Sequence, residues 1–310
     1  MGTMISSPSK ILITGANGLL GQKIVKLCQK FGLNFLATSA GVNRNPDLDP
    51  KNYQQLDITK TAAVLALCNR YQPECIINTA AMTNVDLCES LVEECYQINT
   101  SALKNLLDWS SMNNTHLIQI STDFVFDGNK NNYIENDEAN PLSVYGDSKS
   151  KAEKLLLQSN YKNWSILRTS LVYGSAHLLK RSNIVLWARE ELLKNRKVTI
   201  VDDQFRAPTW AEDLAFASLV SFEKKAFGIY HTVGPECLSM FDFVQRMAAF
   251  YKQPTELVQR IKTTDLQQTA DRPPRTNLVI LKAKRELDYN PHSLEQTLAI
   301  LEKEIPTHQQ

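Results

Sequence analysis

Lys10-Ile11-Leu12-Ile13-Thr14-Gly15-Ala16-Asn17-Gly18-Leu19-Leu20-Gly21 reads as a short buried strand, a glycine turn and the opening of a helix. KILIT is a bounded apolar run, and from Leu19 apolar residues recur at helical spacing to about Phe31. A strand that enters a helix through glycines can hold a pyrophosphate. Glycine lets the backbone turn sharply and approach the phosphates, and a later glycine lets the helix press on the sheet. The helix N-terminus adds free N–H groups and the positive end of its dipole. Gly15, Asn17, Gly18, Leu19, Leu20 and Gly21 are therefore the candidate phosphate-binding residues. The plain alternative is a tight strand-to-helix turn with no ligand.

Outward from this turn, strands and helices alternate. Strands are predicted at 33–38, 75–79, 116–121 and 164–169, and helices near 60–71, within 85–110, and from Asn140-Pro141 to about Gln158. Proline suits a first helical position because its missing N–H is not needed there. Connections too long for hairpins argue for a doubly wound parallel sheet covered on both faces, an α/β fold. After Ser170 the pattern loosens, with strand-like 198–201 and 229–233, helices near 182–195, 211–222 and 239–251, and Pro273-Pro274. The expectation is a dinucleotide-binding domain over 1–170, with parts of 195–235, and a smaller substrate-binding domain over 171–310, the ligand lying between them.

The segment after the second strand, Ala37 to Arg44, has no acid before Asp47 to accept from a ribose 2′-hydroxyl. Ser39 and Arg44 suit a 2′-phosphate instead, so NADP (NADPH) is expected over NAD; a solvated Arg44 is the competing reading. Asp57 is placed to receive the adenine amino group or to cap a helix.

Tyr145 and Lys149 lie four residues apart on one predicted helix and so share a face. Ser121-Thr122-Asp123 ends a predicted parallel strand, and ligands bind beyond the carboxyl ends of such strands. A hydroxyl, a phenol and an ammonium can thus converge. An ammonium about 5 Å from a phenol of pKa about 10 favours phenolate by at most about two pKa units at a dielectric of about 20. Tyr145 would then approach neutrality and act as general acid toward a carbonyl oxygen held also by Thr122, while Lys149 holds the nicotinamide ribose. The competing reading is a packed Tyr145 and a solvated Lys149.

ITGANGLLG at 13–21, NTAAMTNVD at 78–86, ISTDFVFDG at 120–128 and PLSVYGDSKSKAE at 141–153 together resemble the extended short-chain dehydrogenase/reductase family over nearly the whole chain. Within it the chain is most similar to the dTDP-4-dehydrorhamnose reductases, through AAMTNVD, STD-x-VFDG, DDQFRAPTWAEDLA at 202–215 and RPPRTNL at 272–278. The resemblance implies a Rossmann-type domain with a C-terminal nucleotide-sugar domain, NADPH as hydride donor and the set Thr122, Tyr145 and Lys149. It implies that Ala80, Ala81, Met82 and Asn99 belong to the cofactor site. Thr83, Val85, Asp123, Phe124, Arg206, Pro208 and Thr209 are implied on the substrate side. The resemblance also raises Mg2+ at a dimer, without ligands to name. Leu171 stands where an aromatic residue is usual, Phe124 where a tyrosine is, and Arg206 where glycine or another small residue is common, which bears on the sugar chosen. The expected reaction is reduction of the C4 keto group of a nucleotide-linked 4-keto-6-deoxysugar. The alternatives are an epimerase or dehydratase of the same family, or a regulatory subunit similar to the beta subunit of methionine adenosyltransferase.

Composition fits. The 310 residues are 43% apolar and 22% charged, with 34 basic against 33 acidic side chains, as in a soluble globular protein without a basic face for nucleic acid. No apolar run approaches a membrane span, and a cytoplasmic monomer or homodimer is expected. Cys28, Cys68, Cys75, Cys88, Cys95 and Cys237 make no C-x-x-C pair, and the five histidines make no metal motif. His116 and His231 are expected in strands. Met1, Gly2 and Ser6 fit a myristoylation pattern, for which a start at Met4 is the better explanation.

Overall fold

The computed structural model describes residues 9–179 and 182–305; the Met1, Gly2 and Ser6 pattern lies outside them. KILIT forms β1 (Lys10–Thr14) and leads through the glycine turn into α1 (Leu19–Lys30). There follow β2 (Asn34–Ser39), β3 (Tyr53–Gln55), α2 (Thr61–Tyr71) and β4 (Cys75–Asn78). These four strands, β5 (His116–Thr122), β6 (Trp164–Thr169) and Gly228–His231 make one seven-stranded sheet in the order Gly228–His231, β6, β5, β4, β1, β2, β3. All neighbours pair in parallel. The chain winds from β1 to one edge, returns to β4 and winds to the other, so the carboxyl ends of β1 and β4 flank the crevice of the doubly wound fold.

Alternation along β1 decides which layer each side chain joins. Ile11 and Ile13 pack with Leu20 and Ile24 of α1 and with Leu214 and Leu219 of the helix Ala211–Glu223. Leu12 packs on the other face with Leu103 and Leu106 of α5 (Ala102–Asn113) and Leu156 of α6 (Val144–Gln158). A third cluster, with Tyr173, Val198, Trp210, Phe243 and Leu298, gathers elements from beyond Ser170.

Two helix expectations need correction. α6 begins at Val144, not at Pro141, because Ser143 is the N-cap and its hydroxyl accepts from the Gly146 N–H at 3.2 Å. The single long helix expected within 85–110 is broken into α3 (Val85–Ser90), α4 (Val92–Tyr96), a π-helical turn Gln97–Ser101 and α5. Leu91, at φ −118° and ψ 57°, leaves the helical region and makes the first break. His116 and His231 do lie in strands, buried and pushed down to about 4 and about 3 by the loss of water around them.

Candidate active site

At the end of β1, Gly15 takes φ +69°, and a Cβ there would lie 2.5 Å from the Ala80 nitrogen. Only glycine permits the turn from β1 to pass this close to the end of β4. No side chain caps α1 at Gly18, which leaves the N-terminus of α1 open to an anion. Asn17 ties the turn to the segment after β2: its N–H donates to Ser39 Oγ at 3.0 Å, its Nδ2 to the Val42 carbonyl at 2.7 Å, and its Oδ1 accepts from the Arg44 N–H at 2.9 Å. The Arg44 side chain is partly exposed and forms no ion pair with a described residue. Asp57, beyond β3, does not cap α2, whose N-cap is Lys60; Thr59 holds it through its N–H at 2.9 Å and hydroxyl at 2.7 Å. A cradle that a Cβ would fill, an uncapped helix start and an unpaired arginine fit a phosphorylated dinucleotide.

Thr122 is the last residue of β5, and Tyr145 and Lys149 sit on the first turns of α6. A Cβ at Gly146 would lie 2.3 Å from the Phe124 carbonyl oxygen, so glycine after the tyrosine lets α6 press against the end of β5. Tyr145 keeps some contact with solvent, yet protein surrounds it closely enough that burial raises its phenol above the ordinary value. The Thr122 hydroxyl pulls the other way, while Asp123, Cys88 and Cys95 add to the rise. The expected shift toward neutrality is therefore reversed. Lys149 is buried, and its ammonium donates to the Ile120 carbonyl at 2.5 Å and faces Glu153. Burial pulls it down to about 8, against the attraction of Glu153.

Behind these groups runs a buried polar network. Arg168 pairs with Glu153 at 2.7 Å, and Ser121 donates to Glu153 at 2.5 Å. Asp123 accepts from Ser170 Oγ at 2.7 Å, from Thr122 Oγ1 at 3.2 Å and from Thr276 Oγ1, and lies 3.8 Å from Arg206 Nε. Arg206 is 3% exposed; its Nη1 donates to the Phe205 carbonyl at 2.8 Å, while its Nη2 is buried without a partner. Its guanidinium carbon stands 5.3 Å from the Phe124 ring, whose other neighbour is the Tyr145 ring, edge-on at 5.9 Å.

A family model described as the RmlD substrate binding domain matches residues 9–305. The chain belongs to that family. A dTDP-4-dehydrorhamnose reductase of Aggregatibacter actinomycetemcomitans is 32% identical over 94% of this chain and 97% of that protein. The methionine adenosyltransferase 2 subunit beta of Rattus norvegicus is 30% identical over 81% of this chain and 75% of its own. The crystal structure of dTDP-4-dehydrorhamnose reductase from Bacillus anthracis str. Ames, in complex with NADP, is 25% identical with a TM-score of 0.80, covering 96% of this chain and 99% of that one. This kinship places the RmlD-family chain among NAD(P)H-dependent oxidoreductases, with nucleotide-sugar reduction as its general chemistry.

The structure distributes the remaining expected residues unevenly in this RmlD-family protein. Ala80, Ala81 and Met82 are partly exposed beyond β4, and Asn99 is buried behind them, its Oδ1 accepting from the Met82 N–H at 2.8 Å. Thr83 is exposed, and Val85 partly so, beside a clasp that sequence reasoning missed: Asp86 accepts from Arg272 at 2.7 Å and from the Thr269 and Ala270 N–H groups at 3.1 Å. Pro208 and Thr209 are buried, the Thr209 hydroxyl donating to the Ala207 carbonyl at 3.3 Å, so they shape the backbone at this edge. Leu171 stands 37% exposed at φ +41°, an uncommon conformation for a leucine. Ser148 was also missed, as were Ser170 and Thr276; the fragments AAMTNVD and RPPRTNL hold Asp86, Arg272 and Thr276, but pairings across the chain carry no local pattern. Among the described residues no three His, Cys, Asp or Glu side chains converge to hold a metal ion, and no helix is long and apolar enough to cross a membrane. A cavity of about 340 Å³ opens at the amino ends of β4 to β6, lined by Glu74, Thr115, His116 and Phe227, away from Tyr145 and the glycine turn.

Proposed function

We propose that this chain reduces the C4 keto group of a nucleotide-linked 4-keto-6-deoxysugar with NADPH, dTDP-4-dehydrorhamnose to dTDP-L-rhamnose being the foremost case. The observation that carries this is Tyr145, half-buried beside the Thr122 hydroxyl at the carboxyl end of the sheet, with the ammonium of Lys149 buried one turn along the same helix. Reduced nicotinamide, when bound, supplies the hydride for the carbonyl carbon. Tyr145 is the proton donor to the carbonyl oxygen: its raised phenol keeps its proton at neutral pH, so it is loaded as an acid before turnover. Thr122 orients that oxygen by hydrogen bonding, and Lys149, charged below about pH 8, binds the nicotinamide ribose and favours the phenolate left behind. The 2′-phosphate falls to Arg44 and Ser39, and the adenine to Asp57. The sugar sits against Thr83, Val85 and Phe124, with the buried Asp123, Arg206, Pro208 and Thr209 shaping the pocket from behind, between the sheet edge and the elements from residue 171 onward, which we take as a substrate-binding domain.

The test is NADPH oxidation at 340 nm with dTDP-4-keto-6-deoxy-L-mannose made in situ. Wild type should turn over and Tyr145→Phe should lose about 100-fold or more in kcat while still binding NADPH by fluorescence. Tight copurified NAD with no net oxidation would favour an epimerase or dehydratase. The 30% identity to the methionine adenosyltransferase subunit favours a second reading, a regulatory subunit; silence toward every sugar with stoichiometric capture of an enzyme partner would select it. Comparable kcat/KM for NADH and NADPH would remove the basis for the NADPH preference. Sedimentation of the wild type decides between monomer and homodimer.

A further inference from the structure

Five of the six cysteines are buried, and two pairs among them have opposite surroundings. Cys28 and Cys75 interact within the apolar layer beside β1 and β4, where burial pushes Cys28 up to about 12 and Cys75 well above the ordinary thiol value. Thiols so placed are inert. Cys88 on α3 and Cys95 on α4 face one polar nest built around the Met82 carbonyl, Asn99 and Ser148. Cys88 Sγ donates to the Met82 carbonyl at 3.8 Å, and Cys95 Sγ donates to Ser148 Oγ at 3.4 Å. The Asn99 Nδ2 group reaches the same Met82 carbonyl at 3.0 Å, Cys95 Sγ at 3.4 Å and Ser148 Oγ at 3.0 Å, and Ser148 Oγ donates to the Tyr145 carbonyl at 2.7 Å.

The break at Leu91 makes this meeting feasible. In an unbroken helix, residues seven apart stand about 10 Å from each other along the axis, beyond the reach of a disulfide. The nest and the Lys149 charge draw the Cys95 thiol below its ordinary value, toward the reactive thiolate. Both helices are short and lie at the surface, with Leu87, Leu91 and Val92 43%, 41% and 40% exposed, so a local opening admits a small oxidant.

We propose that Cys88 and Cys95 form a disulfide on exposure to a hydroperoxide, and that the bridge slows turnover by withdrawing Asn99, Met82 and Ser148 from the positions that brace the nicotinamide side of the cleft. The effect on turnover rests on the reductase reading above. One sulfur attacks a peroxide oxygen, breaking the O–O bond and giving a sulfenic acid. The second thiol then displaces its hydroxyl as water. With hydrogen peroxide, two thiols and one peroxide give one disulfide and two waters, the sulfurs losing the two electrons that the peroxide gains. As the sulfurs close to about 2.05 Å, Cys95 abandons Ser148 and the Asn99 amide, which are linked directly to Tyr145 and Met82.

The experiment treats the reduced full chain with hydrogen peroxide, alkylates free thiols and maps peptides by mass spectrometry while following turnover. The expected result is a Cys88–Cys95 bridge appearing in step with a turnover loss of at least about tenfold, since displacements near 1 Å cost up to about 100-fold, both reversed by dithiothreitol. Cys88→Ala, measured against its own unoxidised turnover, should resist peroxide. Inactivation without the bridge, equal sensitivity of Cys88→Ala, or a bridge that leaves turnover unchanged overturns the proposal. A chain that builds the bridge but reduces no sugar even before oxidation sinks the reductase reading and keeps the dithiol.

Discussion

Gly15 and Arg206 serve the same edge of the sheet and are held there by different physics. Around Gly15 the site is made of backbone: a positive φ, a gap into which no Cβ fits and an uncapped helix. Around Arg206 it is made of buried charge, with Asp123, Ser170 and Thr276 drawn from three distant segments. The cofactor side should therefore fail when shape is altered and the sugar side when charge is altered.

The largest effect expected comes from breaking the charged side. Asp123→Ala leaves Arg206 buried without its counter-charge, a loss of about 3 kcal/mol or more in unfolding free energy, read by urea denaturation. Asp123→Asn, which keeps the shape, should retain part of that stability and still raise the sugar KM. If either variant impaired NADPH binding as much as sugar binding, the two sides would not be separable. Gly15→Ala tests the other side. Its Cβ has no room beside Ala80, so NADPH affinity should fall by about 100-fold, some 2.7 kcal/mol, with the fold retained by circular dichroism and the sugar-side variants unaffected. An unchanged NADPH Kd would mean the cradle has another purpose.

The same contrast explains what was legible in the sequence. The turn at 13–21 and the Tyr145–Lys149 spacing were readable because each is local: strand period, helix period and glycine punctuation all lie within a few residues. Proline misled by three residues at α6, where the serine cap decided the start. The break at Leu91 has no glycine or proline to announce it. The tyrosine's titration was misjudged because helical spacing says nothing of the burial that raises the phenol, and it fixes the face that Lys149 shares but not where its ammonium points; it turns to the Ile120 carbonyl. Contacts such as Asp123 with Thr276, 153 residues apart, leave no pattern in one sequence.

Lys149 lets the comparison be sharpened by pH. Tyr145 stays protonated through the working range, so the alkaline limb of kcat/KM should follow Lys149 and fall near pH 8. Lys149→Arg should carry that limb upward by more than about one unit, because guanidinium holds its charge, even if its maximum is lower. The sign for stability is opposite: between about pH 8 and the free lysine value the unfolded chain binds a proton that the folded chain does not, so this group's contribution to stability rises with pH in that window. A limb unmoved by Lys149→Arg would assign the titration elsewhere.

The smallest effect belongs to the clasp between Asp86 and Arg272, which joins the segment after β4 to the 269–272 segment. It is bidentate, with Nη1 to Oδ1 at 3.1 Å and Nη2 to Oδ2 at 2.7 Å, and the Arg272 hydrogen bond holds the Asp86 carboxyl below its ordinary value. Asp86 is 38% exposed, however, so solvent screens the pair. Asp86→Ala should cost no more than about 1 kcal/mol of stability, with the penalty shrinking as salt rises toward 1 M, where the Debye length is about 3 Å. Its effect on catalysis should be the more telling one. The carboxylate also receives the Thr269 and Ala270 N–H groups, so its loss frees a stretch of backbone beside Thr83 and Val85 and should raise the sugar KM a few-fold while leaving kcat and the NADPH Kd alone. If Asp86→Ala changed NADPH binding instead, the segment after β4 would belong to the cofactor side, and the boundary between shape and charge would lie at Asp86 rather than at Asp123.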